Sequence, residues 1–248
     1  MVIAVSGKGG AGKSTLAALI VRHLLGKNEK PILAVDADPN SNFGDKLGLM
    51  ADITIGSLRE DVLKSKYAGP AGIPKQNLIE YGVQDAVAEG KGFDLMVMGR
   101  GEGPGCYCSV NNMLRTFLQG LSSRYKHVVI DNEAGMEHLS RRTNDKVDLM
   151  LIVSDQTPTC MRSAKRIAEL ACELEVVRGQ MWLLLNRVTN CGEVERSARE
   201  YVGLELLGCI PEDSLIQKYE LECKSILDLP NDSKAVTALA QAFERIGM

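Results

Sequence analysis

The stretch that decides the fold is Val2-Ile3-Ala4-Val5-Ser6-Gly7-Lys8-Gly9-Gly10-Ala11-Gly12-Lys13-Ser14-Thr15. A short apolar, β-rich run meets a glycine-rich turn. The turn opens at once into Ser14–Leu25, whose Leu16, Ile20, Val21, Leu24 and Leu25 fall on one helical stripe. Gly7 to Ser14 fits the phosphate-loop pattern in its required setting, with a strand before and a helix after. Glycines let the backbone turn tightly and bring N–H groups close to phosphate oxygens. The start of a helix adds partial positive charge. Gly9, Gly10, Ala11 and Gly12 are therefore the expected cradle, with Thr15 just behind it. Lys13 is placed to reach the β- and γ-phosphates, and the Ser14 hydroxyl to bind Mg²⁺.

Working outward, the same alternation continues along the chain. Further apolar runs fall at Ile32–Val35, Leu95–Met98, His127–Ile130, Leu149–Val153, Trp182–Leu185 and Leu206–Cys209. Several are apolar on both faces, as strands covered from both sides must be. Between them, Met161–Val176 carries Ile167, Leu170, Ala171 and Leu174 at helical spacing, and Val236–Ile246 carries Leu239, Ala240, Phe243 and Ile246. Strand–helix alternation predicts an α/β fold: a doubly wound, mostly parallel sheet flanked by helices. With no internal repeat and no Pro/Gly/Ser-rich linker, residues 1–248 read as one domain. Between Asp52 and Gly92, short helices and an edge strand are expected.

Composition narrows the function. The 248 residues carry Lys+Arg 29 against Asp+Glu 32, a net charge of −3 that excludes a generally basic nucleic-acid coat. No apolar run reaches the ~18 residues of a membrane span. Neither nucleic acid nor membrane is an expected partner. The N-terminus lacks the basic flank and long apolar stretch of a secretory leader. The 7 cysteines, odd in number and irregular in spacing, read as reduced thiols of a cytoplasmic protein.

Acids stand where the strands end. Ile32–Val35 runs into Asp36-Ala37-Asp38-Pro39, and Val128–Ile130 into Asp131-Asn132-Glu133-Ala134-Gly135. Ligands of open α/β sheets bind at carboxyl strand ends. Phosphoryl transfer to water needs a Mg²⁺ clamp and a group that positions the water. Asp36 and Asp38, two residues apart, are suited to divide those tasks. Asp131 is the expected second acid of the Mg²⁺ shell. Leu183–Leu185 similarly ends in Asn186-Arg187. No Asn-Lys-x-Asp guanine motif stands there, the local text being Asn186-Arg187-Val188-Thr189.

The loop after Leu95–Met98 reads Gly99-Arg100-Gly101-Glu102-Gly103-Pro104-Gly105-Cys106-Tyr107-Cys108. Two thiols at this spacing, in a glycine-rich bend, supply half of a soft-metal site. Such sites usually take four ligands, so the same loop of a second subunit would complete it across a two-fold axis. Cys172 and Cys209 read as core residues, and Cys160, Cys191 and Cys223 stand alone.

Gly7-Lys8-Gly9-Gly10 resembles the deviant Walker A loop of the MinD/ParA/nitrogenase iron protein class of dimeric ATPases. The resemblance implies that Lys8 reaches the phosphates of nucleotide bound in the partner subunit. It matches Asp38 to the aspartate that orients the attacking water. It puts Asn186 beside the adenine, with Arg187 next to it and the backbone near Ile210-Pro211 closing over the base. Together with the Cys106-Tyr107-Cys108 loop and Asp131–His138, the chain resembles, over essentially its full length, the CooC-type nickel-insertion ATPases. These mature carbon monoxide dehydrogenase, and close relatives serve acetyl-CoA synthase. That implies ATP and Mg²⁺ as cofactors and a homodimer, promoted by ATP and metal. Ni²⁺ or Zn²⁺ would sit on Cys106 and Cys108, and a nickel enzyme would be the client. One alternative is an iron–sulfur reductase or cluster-assembly ATPase, although residues 132–142 offer no cysteine and Cys223 has no partner at the C-terminal end. A MinD/ParA-like positioning ATPase is another. Its membrane form ends in a basic amphipathic helix, whereas the apolar stripe of Ala235–Met248 is expected to pack on the sheet.

Overall fold

A computed structural model describes residues 1–38, 42–63, 75–99, 120–132 and 147–248. Val2–Gly7 forms β1, with Ile3 and Val5 packed on one face of the sheet and Ala4 on the other. The phosphate-loop segment leads into α1 (Lys13–Gly26), and β2 (Ile32–Asp36) follows. Short helices α2 (Phe43–Leu47), α3 (Ile55–Leu63) and α4 (Lys75–Asp85) lead to β3 (Val87–Glu89) and β4 (Phe93–Val97). Next come β5 (His127–Asp131), β6 (Val147–Ser154), α5 (Pro158–Glu173), β7 (Val177–Val188) and α6 (Cys191–Val202). The chain continues through β8 (Leu206–Pro211), α7 (Ser214–Leu221), the 3-10 turn Ile226–Asp228 and α8 (Lys234–Glu244).

The strands form one eight-stranded sheet in the order β3-β4-β2-β5-β1-β6-β7-β8. Every neighbouring pair is parallel except β3 with β4, which is antiparallel at the edge. α1 and α8 cover one face with Leu16, Leu19, Ile20, Leu239 and Phe243. The other face is covered by α5 and α6 over one half and by α3 and α4 over the other. This is the doubly wound arrangement that the alternation predicted, including the edge strand and short helices between Asp52 and Gly92. The C-terminal stripe does pack on the sheet: Ala235, Leu239, Ala242 and Phe243 are buried.

Two expectations are corrected. On α5 the buried stripe is Cys160, Met161, Ala164, Ala168 and Ala171, while Leu170, Leu174 and Cys172 are exposed. The helix approaches the sheet on its small residues, which turns the larger ones outward. Nor are all the cysteines reduced. Cys191, the first residue of α6, is disulfide-bonded to Cys209 on β8, with Cα atoms 5.9 Å apart, inside the range a disulfide spans. Cys209 is thus half-buried and cross-linked, not an isolated core thiol. Among the described residues, no helix is long and apolar enough to cross a membrane.

Candidate functional site: the carboxyl edge of the sheet

β1 delivers the loop from the middle of the sheet. A Cβ at Gly7 would stand 2.4 Å from the Val153 carbonyl of β6, so only glycine lets the strand leave here. Gly12 has φ +91°, and a Cβ there would meet the Asn186 amide at 2.3 Å. Asn186 Nδ2 donates to the Ala11 carbonyl at 2.8 Å, and Arg187 Nη1 to the Gly10 carbonyl at 3.2 Å. The loop is braced from the end of β7. Lys13 is buried, its Nζ 3.5 Å from the Lys8 carbonyl. α1 starts at Gly12 with no side-chain cap and no acid in its first turn, which leaves its opening N–H groups for an anion.

Register puts Asp36 of β2 directly beside Asp131 of β5. Both are buried. Asp36 accepts backbone N–H bonds from Asp38 at 3.1 Å and Phe43 at 2.9 Å, so it holds both Asp38 and the start of α2. Burial pushes its carboxyl up to about 6 against those two hydrogen bonds. Burial pushes Asp131 up to about 7, with the neighbouring Ser14 hydroxyl and the Lys13 charge pulling down and the Asp36 charge pushing up. Neither Asp131 oxygen has a hydrogen-bond partner among the described residues. Two orphaned carboxylate oxygens, a second acid and a serine hydroxyl together fit a hard, oxygen-seeking cation such as Mg²⁺. Asn132 donates to Ser6 Oγ at 3.1 Å and steadies the β5 end.

Above the loop lies a cleft of about 430 Å³, lined by Gly9, Gly10, Lys13, Ser14, Asp38 and Lys46 among others. A second cavity of about 270 Å³, lined by Asn186, Pro211, Asp213 and Ile216 among others, adjoins it. The two share Thr15, Arg187 and Glu220. A profile of the CobQ/CobB/MinD/ParA nucleotide-binding domain matches residues 2–226.

The chain belongs to the CobQ/CobB/MinD/ParA family. It is 40% identical over 250 residues to an uncharacterized ATP-binding protein of Methanocaldococcus jannaschii, covering 99% of this chain and 98% of that one. It is 31% identical over 262 residues to the carbon monoxide dehydrogenase accessory protein CooC of Rhodospirillum rubrum, covering 100% and 98%. In fold it resembles the cell-division ATPase MinD of Pyrococcus furiosus, with a TM-score of 0.70, 21% identity and coverage of 99% and 97%. It is an ATP-binding P-loop ATPase of the MinD/ParA type.

Within this family member, Lys8, Gly9, Gly10, Ala11, Gly12, Lys13, Ser14, Thr15, Asp36, Asp38, Asp131, Asn186, Arg187 and Pro211 all gather at one sheet edge. Pro39, Cys106, Cys108, Gly135 and His138 lie outside the described residues. Several groups at the site were not singled out in the sequence. Asp155, at the end of β6, sits in the field of Lys8. Burial raises its carboxyl, but bonds from Thr157 and the Cys160 thiol, with the Lys8 charge, hold it below the usual range. Asp213 caps α7 through Leu215 N at 2.9 Å and accepts from Ser233 Oγ at 2.6 Å. Glu220 accepts from Thr15 Oγ1 at 3.1 Å and pairs with Lys46 at 2.7 Å. The local signal for Asp213 was an acid just before a helical run. Glu220 and Lys46 had none, since tertiary folding alone brings them to the cleft.

Proposed function

We propose that this protein is a nucleotide-controlled dimeric ATPase that carries a soft divalent metal, nickel or in its place zinc, and inserts it into a nickel enzyme. Carbon monoxide dehydrogenase and acetyl-CoA synthase are the clients in view. The observation that carries this reading is the full-length likeness to the CooC accessory protein, in a chain that also holds Cys106-Tyr107-Cys108.

ATP lies along the two cavities. The loop N–H groups and Lys13 take the phosphates, and Asn186, Arg187 and Pro211 border the base. Ser14, Asp36 and Asp131 would hold Mg²⁺, which when bound neutralises phosphate charge. Asp38 orients the attacking water, as a positioning carboxylate does. Lys8 leaves the neighbourhood of Asp155 and reaches the nucleotide of the partner protomer. ATP thereby draws two protomers together, and each contributes Cys106 and Cys108 to one four-thiolate site for the cargo ion. Hydrolysis loosens the pair and releases the ion to the client.

The test is metal titration of the reduced protein with and without ATP. One Ni²⁺ or Zn²⁺ per dimer is expected, with ATP and metal each strengthening the effect of the other. Cys106→Ser combined with Cys108→Ser should abolish high-affinity metal binding and leave Mg·ATP binding intact. Undiminished metal binding by that double variant, measured by competition with a chromogenic chelator, would overturn the metal-carrier reading and favour a positioning ATPase.

A further inference from the structure

Lys13 and Arg187 both donate to carbonyls of the phosphate loop itself. Lys46, the other cation lining the phosphate cavity among the described residues, stands on a different element and is held differently. Its Nζ lies 2.7 Å from Glu220 Oε1, the same oxygen that accepts the Thr15 hydroxyl at 3.1 Å. Glu220 and Thr15 line both the phosphate cavity and the base cavity. The Lys46–Glu220 pair therefore stands at the seam where the two meet, and a nucleotide filling both must pass beside it.

We propose that Lys46 is a phosphate-chain ligand, parked on Glu220 while the cleft is empty and transferred to the nucleotide when it fills. This rests on the ATPase reading above. α2 is anchored at both ends: Phe43 N–H donates to Asp36 Oδ2 at 2.9 Å, and the Lys46 carbonyl accepts from Ser225 Oγ at 3.3 Å. The backbone of Lys46 is thus fixed, and its flexible four-carbon stem makes the transfer. The side chains of the pair are 23% and 33% exposed, and an ion pair so near water is weakly held. A polyphosphate offers Lys46 several negative charges where Glu220 offers one, so Coulomb attraction favours the exchange.

The test is equilibrium binding of fluorescent ATP and ADP analogues with Mg²⁺ to the full chain and its variants. The parent chain binds both. Lys46→Met should weaken both about tenfold, Lys46→Arg should recover most of the loss, and competition by the phosphate-free nucleoside should shift by less than about twofold. Glu220→Gln removes the parking partner but keeps an acceptor for Thr15, so it should tighten ADP binding by about threefold. If the parent chain bound neither nucleotide, the ATPase reading would fall and this inference with it. If the parent bound both and Lys46→Met bound them equally well, only the role of Lys46 would fall. Should Lys46→Met not fold, Glu220→Gln decides alone: a tenfold loss there would mean that Glu220 holds nucleotide itself and does not merely park Lys46.

Discussion

The two ends of the sheet use the same residue types to opposite effect. At the amino end, carboxylates are satisfied by groups of the chain itself. Asp148 accepts the Val2 N–H at 2.7 Å and pairs with Arg178. Glu29 meets both Lys126 and His127, and Asp94 accepts the Tyr125 hydroxyl at 2.6 Å. The Lys126 and His127 contacts hold Glu29 below its usual range. Burial pushes Asp148 up, but Arg178 and the Val2 N–H bring it below as well. At the carboxyl end, Asp36 and Asp131 are pushed to about 6 and about 7, and Asp131 has no hydrogen-bond partner among the described residues. A buried carboxylate whose partners do not offset its burial costs stability, so the carboxyl end is organised for something the chain itself does not supply.

At the carboxyl end, the largest effect should come from Asp38. Asp38→Ala should keep Mg·ATP and lose hydrolysis by ~10² or more, the scale for removing a positioning or general-base group. Single-turnover assays decide it, and the parental rate would shift attention to Asp36 or Asp131. Asn186→Ala should weaken ATP by about tenfold, because the Ala11 carbonyl loses its buried donor. GTP should weaken by the same factor if the amide acts through the loop; a change confined to ATP would make Asn186 a reader of the base.

Asp131→Asn should reshape the pH dependence of the nucleotide-free protein. Between its ordinary value of 3.8 and about 7, the folded state keeps a proton that the unfolded chain has released. Stability from this group therefore falls as pH rises through that window. The variant should flatten the slope and melt a few degrees higher above pH 7, while losing Mg²⁺-assisted nucleotide binding. Melting curves from pH 4.5 to 8 that ran parallel to the parent's would contradict the burial cost assigned to Asp131. The smallest effect belongs to the other end. Asp148→Asn should lower the melting temperature by about 2 °C with ATP affinity unchanged, and any loss of affinity there would erase the contrast between the two ends.

Local patterns made much of this legible. The glycine turn between an apolar run and a helical stripe placed β1, the loop and α1, and the strand ends placed Asp36 and Asp131 at the carboxyl edge, while their direct pairing came from the β2–β5 register. Periodicity was less informative on α5, because the residues that face the sheet there are mostly small. The Cys191–Cys209 bond joins the start of a helix to a neighbouring strand, and the two are 18 residues apart in the chain. Nothing in irregular cysteine spacing encodes such a contact. Asn186 shows the same limit in another form. Its position at a strand end was readable, but its grip on the Ala11 carbonyl depends on how β7 lies against the loop. Lys46 and Glu220 meet only because folding brings the ends of α2 and α7 to Thr15 at the start of α1.

One feature of α1 reaches beyond binding. α5, α7 and α8 each open on a side-chain cap, from Thr157, Asp213 and Ser233, whereas α1, like α2 and α6, opens with none, and of these α1 does so at Gly12 in the phosphate loop itself. An anionic ligand is then the missing cap of a helix at the centre of the core, and occupancy becomes a folding term. Through linkage, a ligand at a hundred times its Kd adds ~2.7 kcal/mol to the folded state. The resistance of this chain to unfolding and to proteolysis would then follow the nucleotide pool around it, so that a starved cell would hold a shorter-lived protein.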